Sequence, residues 1–214
     1  MRLLIARHGA TQNNLDARFT GQLDVPLSPI GERQALALAD GLAGVHLDAL
    51  VSSDLCRALA TAEPIARLQD LQVLRDPDLR EISVGSWSDR TWDAIRLEEP
   101  ELVARYAADS VNVAPPGGES VVQLRARAVR ALGRWCAAYP EGDVLWVTHG
   151  GFLAVLLCHV LGMDLARRWQ FRRDNAAITE LAVADGEITV VRLNDTHHLA
   201  SLAAGDEAEA SQVL

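Results

Sequence analysis

Lysine is missing from this chain of 214 residues, and all 20 of its basic residues are arginines. Without a lysine side chain, the protein has no phosphate-binding loop of the Walker type and forms no Schiff base with a carbonyl substrate or with pyridoxal phosphate. Any cationic side chain that binds an anionic group must therefore be an arginine, whose planar guanidinium suits bidentate contact.

Cysteine is also scarce. The three residues Cys56, Cys136 and Cys158 lack the spacing of a zinc site, and three thiols cannot all pair within one chain. We therefore expect reduced cysteines in the core, no bound metal and no cofactor.

Long apolar runs are absent as well, and none reaches the ~18–20 residues needed to span a bilayer. Met1 and Arg2 lead directly into an apolar segment that carries the motif described below, so a cleaved leader would remove that motif, and we predict a cytoplasmic protein. The net charge of −9 disfavours nucleic acids and anionic membranes as partners. The expected partner is a small molecule. A site for an anion must be a local cluster of basic residues on a protein that is acidic overall.

Short apolar runs that alternate with helical patterns predict an α/β protein. Strands are predicted at 2–6, 47–52, 143–148, 178–183 and 188–193, the last two as a hairpin. Helices are predicted at 31–43, 55–68, 120–139 and 151–161, and two short helices within 91–108 are separated by a break at Pro100. Residues 10–30 and 70–90 are expected to be largely irregular, and Pro64 is expected to disturb the end of its helix. The alternation predicts one domain over 1–214, a three-layer α/β/α sandwich around a mainly parallel sheet, with a frayed tail from about residue 200.

Two histidine–glycine steps follow predicted strands. Arg7-His8-Gly9 ends the first strand, and His149-Gly150-Gly151 ends the strand at 143–148. Ligands of parallel sheets bind beyond the carboxyl ends of the strands, so we expect both histidines and the segment 52–54 to lie in one crevice. The arginine beside His8 indicates an anionic substrate, and imidazole offers an unprotonated nitrogen near neutral pH.

The ordered set of motifs resembles the histidine phosphatase superfamily, in its phosphoglycerate-mutase-like branch. The matching segments are Arg7-His8-Gly9, Asn14, Gly21-Gln22, Ser52-Ser53-Asp54-Leu55-Cys56-Arg57-Ala58, Leu79-Arg80-Glu81-Ile82, Pro116-Gly117-Gly118-Glu119-Ser120 and His149-Gly150-Gly151. The resemblance that these segments carry extends over nearly the whole chain. The resemblance implies a phosphoglycerate-mutase-like fold and a phosphohistidine intermediate.

The resemblance also implies catalytic roles. His8 is the expected nucleophile, and Arg7 and Arg57 are expected to bind the phosphoryl oxygens. His149 is expected to be a charged donor to the phosphate. Glu81 is the expected general acid, which afterwards activates the attacking water.

A second group of residues is implied in substrate binding. It contains Thr11, Asn14, Gly21, Gln22 and Gly150, for some of which turn and capping roles are the alternative. Trp87 and Trp92 follow Glu81 closely and are candidates for the wall of the substrate site. The pairs Arg167-Arg168 and Arg172-Arg173 are interpreted as a basic surface or as the contact of a possible homodimer.

Together these expectations describe a metal-independent phosphatase that acts on a small phosphomonoester, with a phosphosugar or a phosphoglycerate-like metabolite as the substrate class. Two alternatives stay open, a phosphoglycerate mutase that uses the same site and a non-enzymatic module that binds phosphorylated ligands. The resemblance implies that such mutases use a lysine on the substrate carboxylate, which this chain lacks, and Arg90 is the candidate replacement. Ala10 and 88–90 depart from the family pattern on the leaving-group side, so the substrate itself is not predicted.

Overall fold

The computed structural model of the protein describes residues 1–202, and its six strands form a single sheet. The strands are β1 (Arg2–Arg7), β2 (Ala49–Ser52), β3 (Val73–Arg75), β4 (Asp143–Thr148), β5 (Ile178–Ala184) and β6 (Glu187–Asp195). Their order across the sheet is β3-β2-β4-β1-β5-β6. The first four in this order are parallel, and β5 and β6 add an antiparallel hairpin at one edge. The predicted mainly parallel sheet and its terminal hairpin are confirmed.

Helices fill the connections between the strands. They are α1 (Gln12–Leu15), α2 (Pro29–Gly41), α3 (Cys56–Gln69), α4 (Trp92–Glu98), α5 (Pro100–Ala108), α6 (Val121–Ala138) and α7 (Gly150–Val160). Each of the predicted helices is present with its ends shifted by a residue or two, and the predicted break at Pro100 separates α4 from α5. No helix within residues 1–202 has the length and apolar character needed to cross a membrane.

The core has two layers because successive side chains of a strand point to opposite faces of the sheet. On β1, Leu3 and Ile5 pack with α6 and α7, whereas Leu4 and Ala6 pack with α2 and α3. The neighbouring strands β2 and β4 show the same alternation and are buried on both faces. The predicted three-layer α/β/α architecture is therefore confirmed. The single domain over 1–214 stays a prediction, and the expected frayed tail lies mostly outside the described residues.

Two local expectations are wrong. The helix α3 continues through Pro64 to Gln69, although a proline inside a helix removes one hydrogen bond and costs roughly 3 kcal/mol. Ile65 and Ala66, directly after the proline, are buried against the sheet, and this packing offsets the loss. The segment 10–30 also contains the short helix α1, which Thr11 caps with its hydroxyl.

Only one cysteine occupies the core as expected. Cys158 is fully buried, whereas Cys56 and Cys136 are half-buried, and all three are free thiols. Burial, followed by the hydrogen bond to Asp24, raises the pKa of the Cys56 thiol to about 11. A thiol held protonated in this way is a poor nucleophile.

A close backbone contact fixes the segment that follows Glu81. Gly85 has a positive φ of 49°, and a Cβ atom placed on it would lie 2.0 Å from the carbonyl oxygen of Pro116. The backbone N–H of Ser86 donates to that same carbonyl at 3.0 Å, and the N–H of Glu119 donates to Ser83 O at 2.8 Å. The segment 83–86 and the loop 116–119 therefore lie side by side, and only glycine fits at position 85.

This contact gives a stability prediction with a matched control. Gly85→Ala is expected to lower the free energy of unfolding by about 1–3 kcal/mol or more, because alanine adds both backbone strain and a clash. Gly133→Ala, at an exposed position inside α6 where a Cβ meets no atom within 4 Å, is expected to raise it by about 0.5–1 kcal/mol. Denaturant unfolding of both variants measures the two changes, and equal stabilities would contradict this account of Gly85.

Candidate active site

The two predicted histidines meet at the centre of the sheet. His8 follows β1 and His149 follows β4, and these strands are parallel neighbours whose last residues, Arg7 and Thr148, are paired in register. Both imidazoles are buried, and their ring centroids lie 5.0 Å apart. The crevice at the carboxyl ends of the strands therefore contains both rings.

The hydrogen bond of His8 determines which of its nitrogens is free. Nδ1 lies 2.7 Å from the carbonyl oxygen of Gly9, which can only accept, so Nδ1 carries the proton and Nε2 keeps its lone pair. Burial, followed by the charges of Arg7 and Arg57, lowers the pKa of His8 well below 6.5. His8 is thus a neutral imidazole with an available lone pair at neutral pH.

His149 has a different environment from the one expected. Its Nε2 lies 2.8 Å from the hydroxyl of Ser53, and its Nδ1 is buried without a hydrogen-bond partner. Burial, followed by the charge of Arg57, lowers the pKa of His149 well below 6.5. The expected charged donor is therefore a neutral ring in the free protein, because the arginines around it disfavour a further positive charge.

Arg7 and Arg57 each have a buried Nε donor without a partner. Arg57, in the first turn of α3, donates from Nη1 to Leu23 O at 2.9 Å and from Nη2 to Gly21 O at 2.7 Å. Arg7 donates from Nη1 to the carbonyl oxygen of Arg173. The Nε atoms of both arginines are buried without a partner. A buried N–H left unpaired costs about 1–3 kcal/mol, so an anion that accepts from these two donors would be stabilised here.

These groups border a cavity of about 250 Å³. The predicted site residues that line it are Arg7, His8, Asn14, Gly21, Arg57, Glu81 and Gly150. Three others lie behind its wall. His149 packs against His8, Thr11 caps α1, and Gln22 donates to the backbone oxygen of Glu81 at 3.0 Å. The geometry thus brings seven predicted residues to the cavity and gives the other three supporting positions.

The carboxylate of Glu81 lies at the N-terminus of α7. It accepts hydrogen bonds from the backbone N–H groups of Gly151 at 2.9 Å, Phe152 at 3.0 Å and Ile82 at 2.9 Å. A helix N-terminus carries a partial positive charge that attracts this carboxylate. The three donors therefore fix the position of Glu81 on the cavity wall.

Arg127 of α6 fixes the backbone that carries Glu81. Its guanidinium donates to the carbonyl oxygens of Asp78 at 2.7 Å, Arg80 at 2.6 Å and Glu81 at 3.1 Å. It also pairs with Glu119 at 2.8 Å, which secures the neighbouring loop. One largely buried cation thus holds three backbone carbonyl groups of the segment 78–81 in place.

The interpretation of Arg167-Arg168 and Arg172-Arg173 as a basic surface is wrong for Arg168 and Arg173. Arg168 is only 3% exposed, and Arg168 and Arg173 both line the cavity, whereas Arg167 and Arg172 are exposed. The reason is the 3₁₀ geometry of the segment 165–170, in which side chains three apart share one face. Arg168 therefore points inward beside the buried Leu165. The three-residue spacing between them is visible in the sequence.

Of the two tryptophans that follow Glu81, Trp87 lines the cavity and Trp92 packs against Trp87. Trp87 is almost fully buried and lines the cavity together with Phe19 and Tyr106. Trp92 packs edge-on against Trp87 with ring centroids 5.9 Å apart and does not line the cavity. Arg90 is paired with Glu98 and Glu99 and also lies outside it.

The sequence match to a family agrees with this geometry. Residues 3–196 match the family described as the histidine phosphatase superfamily (branch 1), and the chain belongs to this family. The predicted family is thereby confirmed.

Relatives from two bacteria and one solved structure illustrate the similarity. The chain is 31% identical to phosphoserine phosphatase 1 of Hydrogenobacter thermophilus, covering 93% of this chain and 94% of that protein. It is 30% identical to the adenosylcobalamin/alpha-ribazole phosphatase of Escherichia coli, covering 91% and 96%. The structure of Bacillus stearothermophilus YhfR superposes with a TM-score of 0.86 at 30% identity, covering 92% of this chain and 98% of that one. The predicted phosphoglycerate-mutase-like fold is confirmed by neighbours of this kind.

The protonation of the two histidines can be measured directly. Because their pKa values are lowered in the folded protein, His8 and His149 are expected to stay neutral as the pH falls through 6.5, where an unfolded chain gains protons. The free energy of unfolding should then fall with decreasing pH below about 6.5, by up to roughly 1.4 kcal/mol per pH unit for each histidine.

Heteronuclear NMR of the imidazole nitrogens checks this expectation, with the exposed His46 as the reference in the same spectrum. Two rings should keep the nitrogen shifts of neutral imidazole down to pH 5. A midpoint at or above 6.5 for either buried ring would contradict the assignment.

Proposed function

We propose that the protein hydrolyses a small phosphomonoester through a phosphohistidine on His8. The observation that carries the proposal is the pair of buried, unpartnered Nε–H donors of Arg7 and Arg57, next to a neutral imidazole in a cavity of about 250 Å³. Two guanidinium donors with no acceptor fit the equatorial oxygens of a phosphoryl group. Membership of the histidine phosphatase superfamily supports the same reading.

His8 supplies the nucleophile in this proposal. The lone pair of Nε2 attacks phosphorus, and the bond from phosphorus to the ester oxygen breaks on the opposite side. The hydrogen bond from Nδ1 to Gly9 O orients the ring and stabilises the positive charge that develops on it. Arg7 and Arg57 stabilise the charge on the phosphoryl oxygens during transfer. Water then attacks phosphorus, releases phosphate and restores the neutral ring.

Glu81 is proposed to transfer the protons. In the free protein its carboxylate is stabilised by three backbone N–H groups, which suits the step in which it activates water. In the transfer step Glu81 acts in its protonated form. Protonated Glu81 then donates its proton to the leaving alkoxide and is ready to act as the base.

The cavity and the names of the relatives support a proposal for the substrate class. A phosphosugar or a phosphoglycerate-like metabolite is proposed, as the names of related phosphatases indicate small phosphorylated metabolites. The mutase alternative has less support, because the chain lacks lysine and because Arg90, the candidate replacement, pairs with Glu98 and Glu99 away from the cavity.

A trapping experiment tests the nucleophile. Protein mixed with ³²P-labelled substrate and quenched in alkali should carry acid-labile label on His8, and His8→Ala should lose at least about a thousandfold in turnover. His46→Ala, which changes an exposed histidine, is the control and should keep wild-type turnover. Near-wild-type turnover of His8→Ala would refute the mechanism, and 2-phosphoglycerate forming from 3-phosphoglycerate faster than free phosphate would favour the mutase. Ligand binding without any turnover would favour the non-enzymatic module.

The role of Glu81 is tested through the leaving group. Glu81→Gln should reduce kcat/KM by ~10²–10⁴-fold for an alkyl phosphate, whose alkoxide needs a proton, and much less for 4-nitrophenyl phosphate. Glu101→Gln, an exposed change in α5, is the control and should affect neither. Equal losses on both substrates would remove Glu81 from the role of general acid.

A further inference from the structure

We propose that Arg173, supported by Arg168 and Trp169, is the residue that selects the leaving group, and that it binds a carboxylate there. The inference rests on the proposed phosphatase function. It assigns a role to the part of the cavity that does not bind the phosphoryl group. It is carried by the position of the two guanidinium groups, by their lack of counter-ions and by the charge balance of the cavity.

Arg173 is held in the cavity wall by neutral groups. It donates from Nε to Phe171 O at 2.9 Å and from Nη1 to Gly150 O at 3.2 Å. Within residues 1–202 it pairs with no carboxylate, and Nη2 makes no hydrogen bond to a described residue. The side chain is half-buried, so its charge is only partly screened by water. The guanidinium is thus oriented and keeps donors for an anion.

Arg168 adds a second positive charge behind the same wall. All of its hydrogen bonds go to neutral acceptors, namely the hydroxyl and carbonyl of Ser110, the carbonyl of Leu165 and the hydroxyl of Tyr106. Trp169 lies between the two cations, with its ring centroid 4.6 Å from the guanidinium carbon of Arg168 and 5.6 Å from that of Arg173. Burying a cation without a counter-ion is costly, so an anion bound at this wall would stabilise the pair of guanidinium groups.

The place of Arg173 identifies which part of a substrate it meets. Its Nη1 contacts Gly150 O, while the carboxylate of Glu81 contacts the N–H of the next residue, Gly151. The two side chains therefore lie at the same end of α7. Because the proposed proton donor must face the ester oxygen, a cation beside it meets the leaving group.

The charge balance favours a leaving group that carries a negative charge. Arg7, Arg57, Arg168 and Arg173 line the cavity, and Glu81 is the one carboxylate among the residues that line it. With Glu81 protonated for the transfer step, a phosphate dianion leaves two positive charges. Arg168 already donates to neutral acceptors of the protein, so Arg173 is the oriented cation that remains for one carboxylate. Arg18 also borders the cavity, but it is exposed and its charge is screened by water.

Three esters with one carbon skeleton test the proposal. They are 3-phosphoglycerate, glycerol 1-phosphate, which lacks the carboxylate, and glycerol 1,3-bisphosphate, which replaces it by a phosphate. Wild-type protein is expected to prefer the carboxylate ester at least about tenfold in kcat/KM over both others, as a charge-assisted contact predicts.

The variants separate Arg173 from its neighbours. Arg173→Gln should reduce the preference for 3-phosphoglycerate at least about tenfold, mainly through KM, because the contact exists in both ground and transition states. Arg173→Lys should restore part of it. Arg172→Gln, which changes the adjacent exposed arginine, should leave the preference and the turnover at wild-type values. A merely structural Arg173 would lower the rates for all three esters alike.

The outcomes distinguish this inference from the proposed function. Absence of hydrolysis of every ester, including phenyl phosphate, would refute the phosphatase. The leaving-group preference would then be read from calorimetric binding of the same esters to His8→Ala and to His8→Ala/Arg173→Gln. An unchanged preference in the Arg173→Gln background, or a stronger preference for the bisphosphate, would overturn the carboxylate assignment in either assay.

Discussion

The parallel pairing of β1 with β4 is the constraint on which the site depends. It places His8 beside His149, and the N–H of His8 continues the ladder by donating to Thr148 O at 2.9 Å. The hydroxyl of Thr148 donates to Leu79 O at 2.7 Å, two residues before Glu81. One strand end therefore holds the proposed nucleophile on one side and the segment of the proposed acid on the other. A shift of this register would separate all three groups at once.

The same arginines that fit a phosphate also keep the histidines unprotonated. Arg7 and Arg57 lie close enough to His8 to lower its pKa in addition to the effect of burial. A protonated imidazole has no lone pair, so this electrostatic arrangement favours the nucleophilic form well into the acidic range. Glu81 is the carboxylate that lines the cavity with these arginines, and its oxygens accept hydrogen bonds from backbone N–H groups at the start of α7. The free protein thus stores an excess of positive charge that an anionic ligand neutralises.

Much of this organisation was predictable from the sequence, and the exceptions have physical causes. The apolar runs and the His-Gly steps predicted the strands and the meeting of His8 with His149, because strand ends of a parallel sheet share one edge. The inward orientation of Arg168 was not predicted from the sequence, because adjacent arginines are typical of a solvated surface. Only the three-residue spacing from Leu165 in the 3₁₀ segment distinguishes Arg168 from Arg167. The continuation of α3 past Pro64 depends on tertiary packing, which local sequence patterns do not report.

Because the chain has no lysine, every cationic side chain that lines the cavity is an arginine, and this affects how the site is built. Arg57 uses Nη1 and Nη2 to hold the carbonyl oxygens of Leu23 and Gly21 while its Nε remains unpaired, and Arg173 divides its donors in a similar way. An ammonium group has its three donors on a single atom, whereas a guanidinium spreads five donors over three nitrogens in one plane. Each guanidinium therefore joins the connections around the sheet to the cavity and also supplies its charge. A lysine at either position would offer fewer donors over a shorter span, so the arginine-only composition suits a site whose cations are also part of its framework.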